Sequence, residues 1–162
     1  MSAAGAACAA ARDQLVEAIL DAGRDLAALD ARSLTSVDVT IAQHRVLAEL
    51  AASGPCRLAE LAAALDVDRS TASRIVARLA RKQLVNRRRL TGDRRGVRVS
   101  LTQLGRELVE EVGARRRLEV SGMVERMGPA DTAGALAALR LLADAAGEHQ
   151  RRDLPAGPEP AW

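Results

Sequence analysis

Apolar residues near the N-terminus recur at the spacing of an amphipathic helix. From Ala11 to about Ser33, they alternate with acidic residues and arginines. Because an α-helix has about 3.6 residues per turn, this spacing places the apolar side chains on one face. The predicted stripe consists of Leu15, Ile19, Ala22, Leu26 and Leu29. Residues 1–10 are predicted to be disordered.

A second helix is predicted after a break at residues 35–39. Thr40 and Gln43 match a capping box, in which the threonine hydroxyl accepts one backbone N–H and the glutamine reaches back to another. This helix ends at residues 53–55, and a shorter helix is predicted from Arg57 to Ala64. The apolar residues of the two helices are Ile41, Val46, Leu47, Leu50, Leu58 and Leu61.

The next helix begins after a turn at residues 65–67. Asp68 is predicted to cap it, because a carboxylate accepts backbone N–H groups and complements the helix dipole. The inward stripe consists of Ala72, Ile75, Val76 and Leu79. Two short helices joined by such a turn form a helix-turn-helix. The exposed side of the second helix is small and polar near its start, which suits a helix that enters a major groove.

The polar and apolar pattern then changes to that of two strands, at residues 84–90 and 97–101. Val97, Val99 and Leu101 alternate with polar residues, and the connection from Thr91 to Gly96 contains two glycines. The pattern predicts a β-hairpin, or wing, whose arginines enter a minor groove and contact phosphates. A long helix capped by Thr102 reaches roughly Met127. Gly128 and Pro129 then open a last helix, which reaches about residue 149.

Charge is distributed unevenly along the 162 residues. From Gly54 to Leu101 there are 12 Arg and Lys against 4 Asp and Glu, a net charge of +8. The remainder has 12 basic and 17 acidic residues, a net charge of −5, so that the whole chain carries +3. A basic centre that coincides with a helix-turn-helix indicates binding of a polyanion, although a solvated charged face is the simpler alternative.

Other classes of chemistry have little support. The chain has two cysteines, Cys8 and Cys56, and two histidines, and their spacing fits neither a disulfide framework nor a zinc site. We therefore expect no cofactor and no metal, and the lack of a catalytic constellation argues against an enzyme. The N-terminus lacks the basic region of a signal peptide, and no apolar run suits a membrane span. The expected location is the cytoplasm.

The motifs from Thr40 to Gly105 resemble those of the MarR family of winged helix-turn-helix regulators. The matching segments are TIAQHRVLAEL, GPCRLAELAAALDVDRSTASRIVARLARKQLVNR and GDRRGVRVSLTQLG. The resemblance implies a mainly α fold with a small β-hairpin wing (α+β), in which dimerisation helices flank a winged helix-turn-helix domain. The implied segments are a disordered N-terminus (1–10), an N-terminal dimerisation helix and linker (11–39), the DNA-binding domain (40–101), C-terminal dimerisation helices (102–149) and a disordered tail (150–162).

Candidate DNA contacts lie on the second helix of the helix-turn-helix and on the wing. On the helix, Arg74 could pair with guanine or with a phosphate, and Arg69 could contact a phosphate or pair with Asp66. On the wing, Arg95 is the candidate for minor-groove insertion, oriented by Asp93. The full set is Arg69, Ser70, Thr71, Ser73, Arg74, Arg78, Arg87, Asp93, Arg94 and Arg95. His44 is a candidate ligand contact, although a structural role is the more common fate of a single histidine.

Three positions depart from the pattern of the family that the chain resembles. His44 stands where the family often has an aromatic ring, and Arg57 stands where Ser or Thr commonly caps a helix. Gln83 replaces the glycine usually found after the second helix of the helix-turn-helix, so that helix must end without the residue best suited to a left-handed conformation. A redox role for either cysteine is less expected than a role as an ordinary small residue.

The function expected from these features is that of a dimeric, sequence-specific transcription regulator. It would bind a pseudo-palindromic operator in double-stranded DNA and act as a repressor that responds to a small-molecule effector. One alternative is a constitutive DNA binder without a sensor. Another is a protein–protein interaction module on the same fold, which would use the basic surface to bind an acidic partner.

Overall fold

The computed structural model describes the backbone of residues 3–90 and 93–153, and the side chains of residues 9–89 and 96–147. The elements described are α1 (Ala3–Ser33), α2 (Ile41–Ser53), β1 (Cys56–Arg57), α3 (Leu58–Ala64), α4 (Arg69–Arg81), β2 (Val85–Leu90), β3 (Asp93–Leu101), α5 (Gln103–Val124) and α6 (Pro129–Asp153). The predicted fold class, mainly α with a small wing, is confirmed. We call α2 to β3 the winged-helix body.

The termini of the helices are fixed by local hydrogen bonds that the sequence predicts. The Gln43 N–H donates to the Thr40 hydroxyl at 3.2 Å, and the Thr40 N–H donates to the Gln43 side chain at 3.1 Å, which confirms the capping box. The next cap differs: Arg57 makes no side-chain capping bond, and its N–H donates to the Glu60 carboxylate at 2.7 Å. The third helix therefore begins at Leu58, one residue later than predicted.

Both helices of the helix-turn-helix end in the same way. At the end of α3, the Val67 N–H donates to the Ala62 carbonyl, and Asp66 has a φ of 52°. At the end of α4, the Leu84 N–H donates to the Leu79 carbonyl, and Gln83 has a φ of 59°. These bonds define Schellman motifs, in which a residue in the left-handed conformation allows the last carbonyls of the helix to accept hydrogen bonds.

The sheet has three strands, one more than predicted. Its order is β1-β3-β2, with antiparallel pairing on both sides of β3. Strand β1 escaped prediction because a two-residue strand has no alternating pattern of its own. Strand β3 begins at Asp93, earlier than the predicted residue 97, and a bulge follows Arg89.

The core of the winged-helix body joins its helices to one face of the sheet. Leu47, Leu61, Leu79 and Val99 are 0% exposed, and they come from α2, α3, α4 and β3. Burial of each leucine contributes on the order of 1.5–3 kcal/mol relative to an exposed side chain. The core therefore fixes the orientation of α4 relative to the wing.

Helix α5 starts where the winged-helix body ends, at a close backbone contact. The Thr102 N–H donates to the Leu84 carbonyl at 3.1 Å, and the Thr102 hydroxyl donates to the Gln83 carbonyl at 2.7 Å. A Cβ atom at Gly105 would lie 2.1 Å from the Leu84 carbonyl oxygen. Glycine is therefore required at this position for α5 to approach the end of α4 so closely.

Among the described side chains of helix α1, the buried ones lie at its C-terminal end. Leu29 is fully buried, and Asp30 forms an ion pair with Arg116 of α5 at 3.0 Å. α1 begins at Ala3, earlier than the predicted Ala11, because its first residues are rich in alanine, the strongest helix former. The helical backbone therefore enters the segment 1–10 that was expected to be disordered.

Helix α6 belongs to a second compact unit of the chain, which begins at Val120. It continues to Asp153, beyond the end predicted near residue 149. The part of the predicted tail that follows Asp153 lies outside the described residues. Among the helices that the structure describes, each is too short or too polar to span a bilayer.

Candidate nucleic-acid interface

The N-terminus of α4 is held by Asp68, as predicted. Its carboxylate accepts the Thr71 N–H at 2.9 Å and the Ser70 hydroxyl. The hydrogen bond from Ser70, followed by those from Thr71, lowers the pKa of Asp68 well below its usual range. The carboxylate is therefore ionised at neutral pH, and it fixes the Ser70 hydroxyl at the start of the helix.

The predicted contact residues of α4 lie on the half of the helix that faces away from the core. Ala72, Val76 and Leu79 are 0% exposed and define the opposite, buried half. Thr71 and Ser73 are partly buried at the edge of the exposed half, whereas the other four predicted residues, Arg69, Ser70, Arg74 and Arg78, are exposed. This surface can approach another molecule without disturbing the core.

One arginine of this surface is oriented by its own helix. The Arg74 guanidinium donates to the Thr71 hydroxyl at 2.9 Å, one turn earlier in α4. A guanidinium has five N–H donors, so most of them stay available for a base edge or a phosphate. Because its position is partly fixed, Arg74 would lose less side-chain freedom on binding.

The wing presents arginines on both faces of the sheet. Arg87 lies opposite Val99, and Arg88 lies opposite Arg98. Residues directly opposite each other on paired strands project to the same face, and successive residues alternate. Arg87 and Arg88 are therefore on different faces, and both are exposed.

The predicted wing tip is only partly described. Thr91 and Gly92 lie outside the described residues. The backbone of Asp93, Arg94 and Arg95 belongs to β3, but their side chains lie outside the described ones. The roles predicted for these three residues stay predictions.

A row of three arginines crosses the sheet, and the pattern of residues along the chain did not predict it. Arg98 of β3 is paired with Arg57 of β1 on one side and with Arg88 of β2 on the other. The Arg98 guanidinium donates to the Pro55 carbonyl at 3.2 Å. Since Arg57 was predicted to lie in a helix, its position beside Arg98 could not be inferred without the strand pairing. We call these three residues the arginine row.

His44 lies apart from the nucleic-acid candidates, where α1 and α5 meet α2. Burial lowers its pKa, the nearby Asp30 carboxylate opposes this effect, and the Arg116 guanidinium adds to it. His44 is half-buried. Its surroundings thus include the ion pair between Asp30 of α1 and Arg116 of α5.

Cys56 does not have the surroundings of a reactive thiol. Burial raises the pKa of its thiol, the Glu60 and Glu49 carboxylates raise it further, and Arg98 opposes them. Because the thiolate is the reactive form, a raised pKa disfavours oxidation. The Cys8 side chain lies outside the described ones. The described His, Cys, Asp and Glu side chains include no group of three that could hold a metal ion.

A family model supports the interpretation drawn from the geometry. The model described as the MarR family matches residues 39–97, which are nearly all of the winged-helix body. YhbI of Bacillus subtilis, an uncharacterized HTH-type transcriptional regulator, is 30% identical over 94 residues, which cover 58% of this chain. The chain spans 61% of the length of this curated relative.

Solved structures extend the similarity beyond the winged-helix body. RV1404 from Mycobacterium tuberculosis is 39% identical with a TM-score of 0.76, and the match covers 83% of this chain and 94% of that one. BpsR of Bordetella bronchiseptica, whose DNA binding is regulated by 6-hydroxynicotinic acid, is 27% identical with a TM-score of 0.63, and the match covers 80% and 98%. The chain therefore belongs to the MarR family of transcription regulators.

Proposed function

We propose that the protein is a homodimeric repressor that binds a pseudo-palindromic DNA operator and responds to a small-molecule effector. The observation that carries this proposal is the exposed half of α4, with its capped N-terminus and its arginines, on a helix held firmly by a core. The +8 charge of residues 54–101 supports a polyanion as the partner. As an HTH-type relative, YhbI supports the same class of function.

In the proposed complex, α4 lies in the major groove. Ser70 and Ser73 are small enough to allow close approach to base edges, and Arg74 pairs with a guanine or a phosphate. Arg69, Thr71 and Arg78 supply further contacts along the helix. On the wing, Arg95 enters the minor groove with Asp93 as its orienting partner, and Arg87 and Arg94 neutralise phosphates.

The dimer is proposed from the exposed apolar residues of α1. Leu15 is 55% exposed, Ile19 is 39% exposed and Leu26 is 46% exposed, and the three lie on one side of the helix. Contiguous apolar surface of this kind usually marks an interface. A two-fold dimer would set its two α4 helices about one DNA turn apart, roughly 34–36 Å, and this spacing accounts for a pseudo-palindromic operator.

The effector is proposed by analogy with BpsR, whose DNA binding is regulated by 6-hydroxynicotinic acid. His44 is the residue of this chain that we propose as a ligand contact, because it is half-buried where α1, α2 and α5 meet. The cytoplasm, where such a regulator would meet both DNA and effector, is the proposed location.

Selection of binding sites from random DNA tests the proposal. We expect enrichment of a pseudo-palindrome whose half-sites are centred about ten base pairs apart. If no motif is enriched, the sequence-specific regulator is ruled out, and the protein–protein interaction module becomes the better account.

Mobility shifts on the selected site then test individual residues. Arg74→Ala and Arg95→Ala should each weaken binding by about 1–3 kcal/mol, whereas Arg140→Ala, an exposed arginine of α6, should leave it unchanged. Equal affinities for all four proteins would exclude the proposed roles of α4 and the wing. A thermal-shift screen of small acids distinguishes a ligand-responsive regulator from a constitutive binder.

A further inference from the structure

The arginine row is an unusual arrangement for a protein surface. Directly opposed side chains on neighbouring strands have Cβ atoms about 4.5–5.5 Å apart, and like charges at this distance are destabilising. Arg98 has such a neighbour on each side, Arg57 on β1 and Arg88 on β2. All three side chains are exposed. A favourable interaction with an anion would offset the repulsion between them.

The described part of the chain offers no carboxylate that neutralises the row. None of the three guanidinium groups forms a salt bridge with a described side chain. Glu60, the acid closest in sequence to Arg57, accepts the Arg57 backbone N–H instead. Arg98 donates to a neutral carbonyl group, that of Pro55, which orients the guanidinium without cancelling its charge. Within the described residues, the guanidinium groups of the row are therefore without an ion-pair partner.

The shape of the row fits a chain of phosphates better than a single anion. Neighbouring strands lie about 4.8 Å apart, so the outer two arginines, Arg57 and Arg88, are separated by roughly 10 Å. One inorganic phosphate could not contact both ends. Asn86 and Ser100, which line a shallow cavity beside Arg88 and Arg98, add neutral hydrogen-bonding groups to the same face.

The position of Arg57 indicates which polyanion it meets. Arg57 is the N-cap residue of α3, the first helix of the helix-turn-helix. When the second helix of this motif lies in a major groove, the first helix crosses the DNA backbone. In the proposed complex, the beginning of α3, and with it one end of the arginine row, would therefore lie close to phosphates.

We propose that the arginine row binds the DNA backbone as a phosphate clamp in addition to the contacts made by α4 and the wing tip. The inference rests on the proposed function, since it requires that α4 lies in the major groove. The clamp contacts phosphates only, so it strengthens binding to every sequence alike and does not select among them. Arg57, Arg88 and Arg98 are thus determinants of affinity and of salt dependence.

The salt dependence of DNA binding tests the clamp. Each phosphate contact contributes about 0.9 to the slope of log affinity against log salt concentration. We expect Arg88→Gln to reduce the magnitude of this negative slope by about 0.9. The combined Arg57→Gln, Arg88→Gln and Arg98→Gln variant should reduce it by up to about 2.7. Arg88→Lys keeps the charge and should keep the slope.

Two controls separate the clamp from folding and from general charge. Arg140→Gln removes an exposed arginine from α6 and should leave the slope unchanged. The Arg88 side chain forms no hydrogen bond or ion pair with a described side chain, and its backbone pairing with β3 is kept on substitution, so Arg88→Gln should not lower the thermal midpoint of the free protein. Site selection with the triple variant should enrich the same motif as the wild type.

The outcomes distinguish this inference from the proposed function. If the wild type enriches a motif but the triple variant keeps the wild-type slope, the clamp is refuted and the regulator stands. If the triple variant enriches a different motif, the row reads bases, and the clamp is likewise refuted. If the wild type enriches no motif, the proposed function fails, and the clamp that depends on it fails as well.

Discussion

The winged-helix body and the long helix α1 both contain many leucines, but they bury them to different extents. In the body, Leu47, Leu61 and Leu79 are 0% exposed. In α1, Leu15 and Leu20 are more than half exposed, whereas Leu29, near the C-terminal end of the helix, is fully buried. Helix α6 resembles the exposed part of α1, because Leu139 and Leu141 are 62% and 71% exposed.

The difference shows which parts of the fold one chain can stabilise. Helices α2, α3 and α4 and the sheet cover one another, and Leu34, Val39 and Val112 of the same chain complete this core. The exposed leucines of α1 and α6 would each gain free energy from burial against another surface. Changes in the body should therefore have the same effect at every protein concentration, whereas changes in the terminal helices should depend on concentration.

The largest expected effect is the loss of a buried leucine from the body. Leu61→Ala should lower the free energy of unfolding by about 2–5 kcal/mol, because a cavity remains where the side chain was. Denaturant titrations at several protein concentrations would measure it. The matched truncation Leu139→Ala should have an effect that varies with concentration. A concentration-dependent loss for Leu61→Ala would contradict a core closed within one chain.

A charge on the apolar face of α1 should disrupt the proposed dimer while the body stays folded. Ile19→Glu should raise the dimer dissociation constant at least about 100-fold, because a carboxylate without a partner is costly to bury. Sedimentation equilibrium would measure the constant. Glu17→Lys serves as the control, since residue 17 lies on the other side of the helix. Equal dissociation constants for Ile19→Glu and the wild type would exclude this face from the interface.

The same contrast explains how much the sequence could predict. The caps at Thr40 and Asp68 and the stripe of α4 were predictable, because each depends on residues within a few positions of one another. Strand β1 was not predictable, because its two residues form a strand only through their pairing with β3. The arginine row escaped for the same reason. Its pairing of Arg57 with Arg98 joins residues that are distant in the chain.

Gln83 ends α4 without a glycine, as expected, but its left-handed backbone conformation was not predicted. The sequence indicated a helix that ends without glycine, but the periodicity could not show that Gln83 itself would become left-handed, with a φ of 59°. The surrounding bonds impose this conformation: the Leu84 N–H binds the Leu79 carbonyl, and both leucines are buried. The closed core of the body can therefore hold a backbone conformation that glutamine does not favour.

Replacement of this residue should strengthen the body slightly. Gln83→Gly should raise the free energy of unfolding by about 1 kcal/mol, because glycine adopts the left-handed conformation without steric cost. The gain should be the same at all protein concentrations. Gly54→Ala provides the reverse test, because Gly54 has a φ of 76° and no neighbouring atom that a Cβ would meet. Any loss of stability in Gly54→Ala would therefore reflect backbone strain alone. A loss of stability in Gln83→Gly would argue against strain at this position.

The smallest expected effect concerns His44, where α1 meets the body. Its pKa is lowered below 6.5, mainly by burial, with Asp30 of α1 opposing this effect and Arg116 of α5 adding to it. Because the unfolded chain binds the proton more readily, stability should be full above pH 6.5 and should fall as the pH drops toward the lowered pKa. Urea midpoints measured between about pH 7.5 and pH 5 should show this fall in the wild type and less of it in His44→Gln. Asp30→Asn removes the carboxylate that favours the charged imidazole, so it should steepen the fall. A pH profile in His44→Gln as steep as that of the wild type would exclude His44 as the source of this pH dependence.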